Sequence, residues 1–178
     1  MNNENLARFL NLSGKLKEIK RTGWVEAGVS NPESVADHVF RVTLLCMILA
    51  DEKSLDTLKV MRMAIIHDLS EAITGDLTPK QKTPSYVHEE KDAMNQLFNL
   101  LSDQLKQTYS DVWQEYSHNH TPESRMVHEV DKLEMLLQAS EYETTRKSGT
   151  HLEHFWETEI NLMYNELIKS FRILNKKD

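Results

Sequence analysis

Residues 33–74 read ESVADHVFRVTLLCMILADEKSLDTLKVMRMAIIHDLSEAIT, and this stretch decides the fold because it contains neither glycine nor proline. Both residue types are also absent from three later stretches: 85–121, 123–148 and 150–178. These stretches are rich in Leu, Met, Glu, Lys and Gln, whose side chains lose little rotamer freedom in a helix. Outside them, no strand-like alternation of apolar and polar residues lasts six positions. The sequence therefore predicts an all-α fold.

The spacing of apolar residues divides these stretches into individual helices. A first amphipathic helix is expected over 6–19, and a second is expected after Asn31, the predicted N-cap, with Pro32 as its first residue. Ser54 is the predicted cap of a third helix, which ends before Gly75. Later helices are predicted at 88–101, 103–117, 122–146 and 151–174. This pattern predicts a bundle of about six to eight helices.

Length and composition limit the class of protein. A chain of 178 residues suits one domain, and we expect the whole range 1–178 to form it. Its core is expected over about 15–145, with the C-terminal helix 151–174 packed on it. The formal net charge of −7 excludes a broadly basic surface for a nucleic-acid polymer or an anionic membrane.

Two further features bear on the compartment of the protein. The longest apolar run, 42–50, is far shorter than the roughly 20 residues of a membrane-spanning helix, and the first thirty residues lack an apolar signal region. The single cysteine, Cys46, has no partner for an internal disulfide. We therefore expect a cytoplasmic protein that does not enter membranes.

Aspartate and histidine side chains interrupt the apolar pattern at three places. These are the pair Asp37 and His38, the pair His67 and Asp68, and the single residue Asp131. A buried carboxylate is costly unless it is paired with a cation or bound to a metal. One divalent ion held by His38, His67, Asp68 and Asp131 accounts for all three interruptions.

The adjacent pair His67 and Asp68 restricts where such an ion can lie. Neighbouring residues on a helix point about 100° apart, so both side chains reach one ion only near the end of their helix. Two imidazoles and two carboxylates favour Mn²⁺, Fe²⁺, Co²⁺ or Zn²⁺ over Ca²⁺. An octahedral ion with these ligands keeps two positions for water and substrate.

Four motifs surround these residues. They are RTGW at 21–24, ESVADH at 33–38, HDLSE at 67–71 followed by Gly75-Asp76, and DKLE at 131–134 followed by QASEY at 138–142. Together they resemble the 5′-deoxynucleotidase family of HD-domain metal-dependent phosphohydrolases over about residues 15–145. A His, a His-Asp pair and a distant Asp, in this order, are the signature of that superfamily.

The resemblance implies a function and a site. It implies a homodimeric enzyme with one divalent metal that hydrolyses deoxyribonucleoside 5′-monophosphates to deoxynucleoside and phosphate. The residues that correspond to the metal ligands of the family are His38, His67, Asp68 and Asp131. The residues that correspond to its other site groups are Glu71 and Asp76 for catalysis, Arg21 for the phosphate and Trp24 for the sugar.

The local chemistry agrees with these assignments. Glu71 follows Asp68 by three positions, where it could handle a metal-bound water or protonate the leaving 5′ oxygen. Asp76 follows Gly75, whose freedom at positive φ lets a turn return a second carboxylate. The sequence does not decide which of the two is the acid. Arg21 offers a planar fork to a phosphate, and the bulk of Trp24 would exclude a 2′-hydroxyl.

Other interpretations stay open at this stage. The chain could be an HD-type enzyme for a triphosphate, a cyclic nucleotide or guanosine tetraphosphate, or a non-catalytic module that binds metal and nucleotide. Arg21 could instead form a surface ion pair, and Trp24 could be an anchor in the core. Asp76 could be a simple turn residue after Gly75. The loop with two prolines that contains Lys80, Lys82 and Tyr86 is either a cover for the nucleotide or a plain connection.

Overall fold

The computed structural model describes residues 2–144, 152–161 and 164–175, and the regular secondary structure in these ranges is helical. The helices are α1 (Asn3–Gly14), α2 (Thr22–Glu26), α3 (Val35–Glu52), α4 (Thr57–Ile66), α5 (Glu71–Thr74), α6 (Tyr86–Phe98), α7 (Asp103–His118), α8 (Pro122–Thr144) and α9 (Asn165–Asn175). Two 3₁₀ turns cover Lys15–Lys17 and Glu153–Glu157. The predicted all-α class is confirmed.

The helices α3, α4 and α8 form the centre of the bundle. Val42 and Cys46 on α3, Met63 on α4, and Val127 and Val130 on α8 are fully buried in one apolar cluster. Residues three and four apart on α3 share one face, which places its apolar stripe against both neighbours. This packing fixes the three helices relative to one another.

The start of α3 differs from the prediction. Ser34, rather than Asn31, is the N-cap, and it forms a capping box in which Asp37 Oδ2 accepts a 2.8 Å hydrogen bond from the Ser34 amide. The amide of Arg21 donates to the Glu33 carbonyl, which holds the preceding segment extended. The helix therefore begins after Pro32 and not at it. Asp37, one position before His38, is therefore the second member of this capping box.

The helix that precedes the His67-Asp68 pair also has different ends. Its N-cap is Asp56, whose side chain accepts a hydrogen bond from the Lys59 amide, whereas Ser54 has a left-handed backbone with φ of 53°. This helix, α4, ends at Ile66 and not just before Gly75. The chain makes one irregular turn before α5 begins at Glu71.

The expected continuous helix over 151–174 is wrong. The described part of this segment has a 3₁₀ turn at Glu153–Glu157, extended backbone at Thr158 and then α9, while residue 151 itself lies outside the described residues. Phe155 packs in the cluster that contains Trp24, whereas Ile168 packs in a different cluster against α8. One straight helix would not place both residues in their separate clusters.

Among the residues that the structure describes, no helix combines the length and the hydropathy that a membrane span requires.

We predict that Ser34→Ala lowers the free energy of unfolding by about 1 kcal/mol, because it removes the side-chain half of the α3 capping box. Urea unfolding followed by circular dichroism measures this change. Ser102→Ala is the matched control, since Ser102 is the N-cap of α7 without a side-chain capping bond. Equal losses in the two variants would contradict the role of the Ser34 cap.

Candidate active site

His38 is the most deeply enclosed residue of the site. It lies one turn into α3 and has no exposed surface. Its Nε2 atom lies 3.0 Å from Asp131 Oδ1 and 3.7 Å from Asp68 Oδ2. Its Nδ1 atom is hydrogen bonded to a carboxylate oxygen of Glu134. The imidazole is therefore held between carboxylates on both edges.

His67 and Asp68 lie where α4 ends. The Nδ1 atom of His67 lies 2.7 Å from the carbonyl oxygen of Ala64, so Nδ1–H donates and Nε2 carries the lone pair. Asp68 follows the last helical residues, and its Oδ2 atom lies 3.2 Å from His67 Nε2. The end of the helix lets the two adjacent side chains face one point, as the sequence predicts.

The four predicted ligands come together in space. The candidate ligand atoms of His38, His67 and Asp68 lie within 4.8 Å of one another, and Asp131 adjoins them through His38. Both Nε2 atoms are buried, and each faces a carboxylate, His38 Nε2 that of Asp131 and His67 Nε2 that of Asp68. Two imidazole nitrogens that face two carboxylates fit a divalent cation with mixed nitrogen and oxygen ligands.

The charges around these imidazoles favour a cation. Burial and Arg21 lower the pKa of His38, but hydrogen bonds to Asp131 and Glu134 outweigh them and raise it to about 10. Burial raises the pKa of Asp68, but His67 and Arg21 outweigh burial and hold it well below its usual range. Asp68 therefore stays ionised beside the two imidazoles, which favours positive charge at this point of the site.

A cavity of about 360 Å³ opens beside the four residues. Arg21 lines it, and its Nη1 atom lies 3.2 Å from Asp68 Oδ2 and 3.8 Å from Asp76 Oδ1. Two of the candidate ligands, Asp68 and Asp131, also line the cavity. A molecule that fills this cavity would lie beside both the arginine and two of the candidate ligands.

Glu71 is the first residue of α5 and lines the same cavity. Its amide donates a 3.0 Å hydrogen bond to the Asp68 carbonyl, so it lies directly beyond the turn that carries Asp68. The Oε2 atom is buried and has no hydrogen-bond partner among the described residues. Burial, together with Asp68 and Asp76, raises the pKa of the Glu71 carboxyl to about 10. This carboxyl group can carry a proton at neutral pH.

Asp76 returns to the site through the turn at Gly75, which has a φ of 78°. The Asp76 carboxylate accepts a hydrogen bond from the Thr22 amide. Its carbonyl oxygen accepts a 2.7 Å hydrogen bond from the Thr22 hydroxyl. These bonds tie the loop after α5 to the start of α2, so Asp76 is both a turn residue and part of the cavity wall.

Trp24 is both a core residue and a cavity residue. Its side chain is buried against Tyr142 and Phe155, with ring centroids 5.3 and 4.2 Å away. The indole Nε1–H donates a 3.0 Å hydrogen bond to Glu33. Because its single donor is used there, the Trp24 side chain has no free donor to offer to the cavity.

Sequence reasoning misses the residues behind His38. Arg41 donates hydrogen bonds to carboxylates of Glu134 and Glu141, both at 2.8 Å, and to the amide oxygen of Gln138. Glu134 thus links Arg41 to His38. The available signal is the DKLE motif, in which Glu134 follows Asp131 by three positions and so shares its helix face.

The fold and the site define an all-α domain that brings a His, a His-Asp pair and a distant Asp to one cavity. This arrangement is typical of a metal-binding helical hydrolase domain. The chain belongs to the HD domain family, whose model matches residues 13–169.

Individual relatives cover most of the chain. The 5′-deoxynucleotidase HDDC2 of Danio rerio is 36% identical over 177 residues, which are 98% of this chain and 88% of that protein. The protein of the same name from Xenopus laevis is 40% identical over 157 residues, or 87% and 78% of the two chains. A conserved hypothetical protein from Pyrococcus furiosus shares the fold with a TM-score of 0.78 at 38% identity, over 93% of this chain and 98% of that one.

We predict that Glu134→Gln weakens binding of Mn²⁺ or Co²⁺ by about 10- to 100-fold, because a neutral amide orients and polarises His38 less well than a carboxylate does. Isothermal titration calorimetry of metal-free protein measures this change. Glu141→Gln is the matched control, since Glu141 pairs with Arg41 without contacting His38. The same loss in both variants would show that Arg41, rather than the Glu134–His38 bond, controls affinity.

Proposed function

We propose that the protein is a metal-dependent 5′-deoxynucleotidase that hydrolyses deoxyribonucleoside 5′-monophosphates to deoxynucleoside and phosphate. The observation that carries this proposal is the convergence of four candidate metal ligands with Arg21, Glu71 and Asp76 at one cavity. Its volume of about 360 Å³ falls within the range of small-molecule sites. The relatives named 5′-deoxynucleotidase support the choice of substrate.

His38, His67, Asp68 and Asp131 would hold one divalent ion. Their nitrogen and oxygen donors suit Mn²⁺, Co²⁺, Fe²⁺ or Zn²⁺. When bound, such an ion would polarise the phosphate and lower the pKa of a coordinated water.

Arg21 is placed to bind the phosphate. Its guanidinium group lies at the cavity wall, where it already contacts the carboxylate of Asp68. A planar fork of donors matches two phosphate oxygens, which a lysine ammonium cannot do. Because phosphoryl transfer depends on charge stabilisation and positioning, this contact contributes directly to the rate.

Glu71 and Asp76 would manage the protons. The raised pKa of Glu71 suits a group that gives a proton to the leaving 5′ oxygen. Asp76 is held by the Thr22 amide, and its carboxylate would accept a proton from the attacking water. In this proposal Glu71 is the acid and Asp76 the base.

Trp24 would select the deoxyribose. The indole donor is already bonded to Glu33, so the face toward the cavity has no polar partner for a 2′-hydroxyl. A ribose hydroxyl placed there would lose its hydrogen bonds with water and gain none. Rejection would therefore come from desolvation as well as from bulk.

The proposal includes a homodimer in the cytoplasm. On α3, Phe40, Leu44 and Ile48 lie four residues apart on one face and are 69%, 41% and 52% exposed, a strip suited to contact a second copy. Cys46 is a free, buried thiol, which fits a reducing compartment.

We predict that dAMP is hydrolysed with a kcat/KM about 10- to 100-fold higher than that of AMP, because only AMP places a hydroxyl against Trp24. Phosphate release in the presence of Mn²⁺ or Co²⁺ measures both rates. Deoxyadenosine triphosphate, cyclic AMP and guanosine tetraphosphate belong in the same panel and are expected to be poor substrates. Equal rates for dAMP and AMP would contradict the role of Trp24, and preference for another member would replace the proposed activity.

We predict that Glu71→Gln lowers kcat for dAMP by at least about 100-fold, because the amide cannot transfer the proton. Calorimetry with the metal and with inorganic phosphate is expected to give wild-type affinities for both. Glu89→Gln, an exposed change on α6 outside the cavity, is the control. Wild-type turnover by Glu71→Gln would remove Glu71 from the mechanism.

A further inference from the structure

The loop between α5 and α6 forms one wall of the cavity. Leu77, Thr78, Pro79 and Lys82 line the cavity, whereas Lys80 of the same loop does not. The structure therefore distinguishes two lysines that the sequence treats alike. Lys82 is at the site and Lys80 is beside it.

Contacts within the loop hold Lys82 in place. Its amide donates a 3.2 Å hydrogen bond to the Thr78 carbonyl, which closes a turn over 78–82. The Gln81 side chain bridges that turn to α2, because it accepts a hydrogen bond from the Thr78 amide and donates one to Glu26 at 2.8 Å. The Lys82 ammonium lies 4.7 Å from the ring centroid of Tyr86, a buried residue. This cation–π contact limits the positions of a side chain that is otherwise mobile.

The cavity is lined by more acidic groups than cations, so a bound phosphate would require additional positive charge. Four carboxyl groups line it, and its cations are Arg21, Lys82 and Lys132. Arg21 is already paired with Asp68, whereas Lys132 is an exposed residue that follows Asp131 on α8 and points about 100° away from it. Lys82 makes no ion pair with any carboxylate in the described ranges. A phosphate dianion that enters the cavity would therefore meet the Lys82 ammonium without displacing an ion pair of that lysine with a described carboxylate.

We propose that Lys82 is a phosphate-binding residue of the site, whose ammonium attracts and holds the phosphate of the substrate in the ground state. This inference rests on the proposed function for the identity of the substrate, but its chemistry applies to any phosphate dianion in the cavity. A lysine ammonium acts as a point charge without the directional fork of Arg21. Lys82 therefore contributes to substrate affinity, and Arg21 contributes the orientation needed for turnover.

The test compares Lys82→Met with Lys80→Met in the metal-loaded protein. For Lys82→Met we expect the KM for dAMP and the inhibition constant of inorganic phosphate both to rise about tenfold, with kcat within about twofold of wild type. Lys80→Met is expected to leave all three values unchanged. Lys82→Arg, which keeps the positive charge, is expected to restore most of the affinity.

Three results would overturn the proposal. They are unchanged constants in Lys82→Met, equal changes in the two methionine variants, and a fall in kcat with no change in phosphate inhibition. The second result would indicate a general effect of net charge, and the third an effect on Glu71. Thermal unfolding of each variant checks that the fold is retained.

Direct titration of metal-loaded protein with inorganic phosphate separates this inference from the proposed function. Weaker phosphate binding by Lys82→Met than by wild type supports the role of Lys82 even if wild type hydrolyses no dAMP, a result that would overturn the proposed activity alone. Wild-type hydrolysis of dAMP with equal phosphate affinity in both proteins would overturn the role of Lys82 alone.

Discussion

The site depends on one buried imidazole, that of His38, which contacts a carboxylate at each of its two ring nitrogens. His38 contacts Asp131 on the cavity side and Glu134 on the side of the bundle interior. A buried carboxylate without a partner costs several kcal/mol, so each must be matched by positive charge. Arg41 supplies that charge behind the imidazole, and Arg21 supplies part of it in front. The Nε2 atoms of His38 and His67 face the remaining acidic side, where a divalent ion would complete the balance.

The break between α4 and α5 makes this arrangement possible. A continuous helix from Thr57 to Thr74 would direct His67 and Asp68 about 100° apart, and only one of them could reach His38. Because α4 stops at Ile66, the turn presents both side chains to the same point. Glu71 then begins a new helix beside them, and Gly75 ends it after one turn. The proposed catalytic carboxylates Glu71 and Asp76 thus follow from the same backbone interruption that brings His67 and Asp68 together.

The sequence predicts those parts of the site in which a polar residue type is unusual for its surroundings. His38, His67, Asp68 and Asp131 are polar groups in apolar surroundings, so their convergence is predictable from their chemistry. Arg41 and Glu134 are not recognisable in this way, because charged residues on long helices usually face solvent. Their pairing depends on how α3 packs against α8. The prediction of one helix over 151–174 is wrong for a related reason. Its apolar residues satisfy helical spacing, but Phe155 and Ile168 belong to separate clusters that only the tertiary structure defines.

The site divides into a part built on packed helices and a part built on loops. The candidate ligands His38 and Asp131 project from α3 and α8, whose mutual packing in the core fixes their separation. Arg21, Asp76 and Lys82 lie on two connecting segments that are tied to each other by the bonds of Thr22 to Asp76 and of Gln81 to Glu26. Changes in these segments would alter what the cavity accepts while leaving the candidate metal ligands in place. One helical frame would therefore suit different phosphate substrates, because the groups proposed for specificity and those proposed for metal binding lie in separate segments.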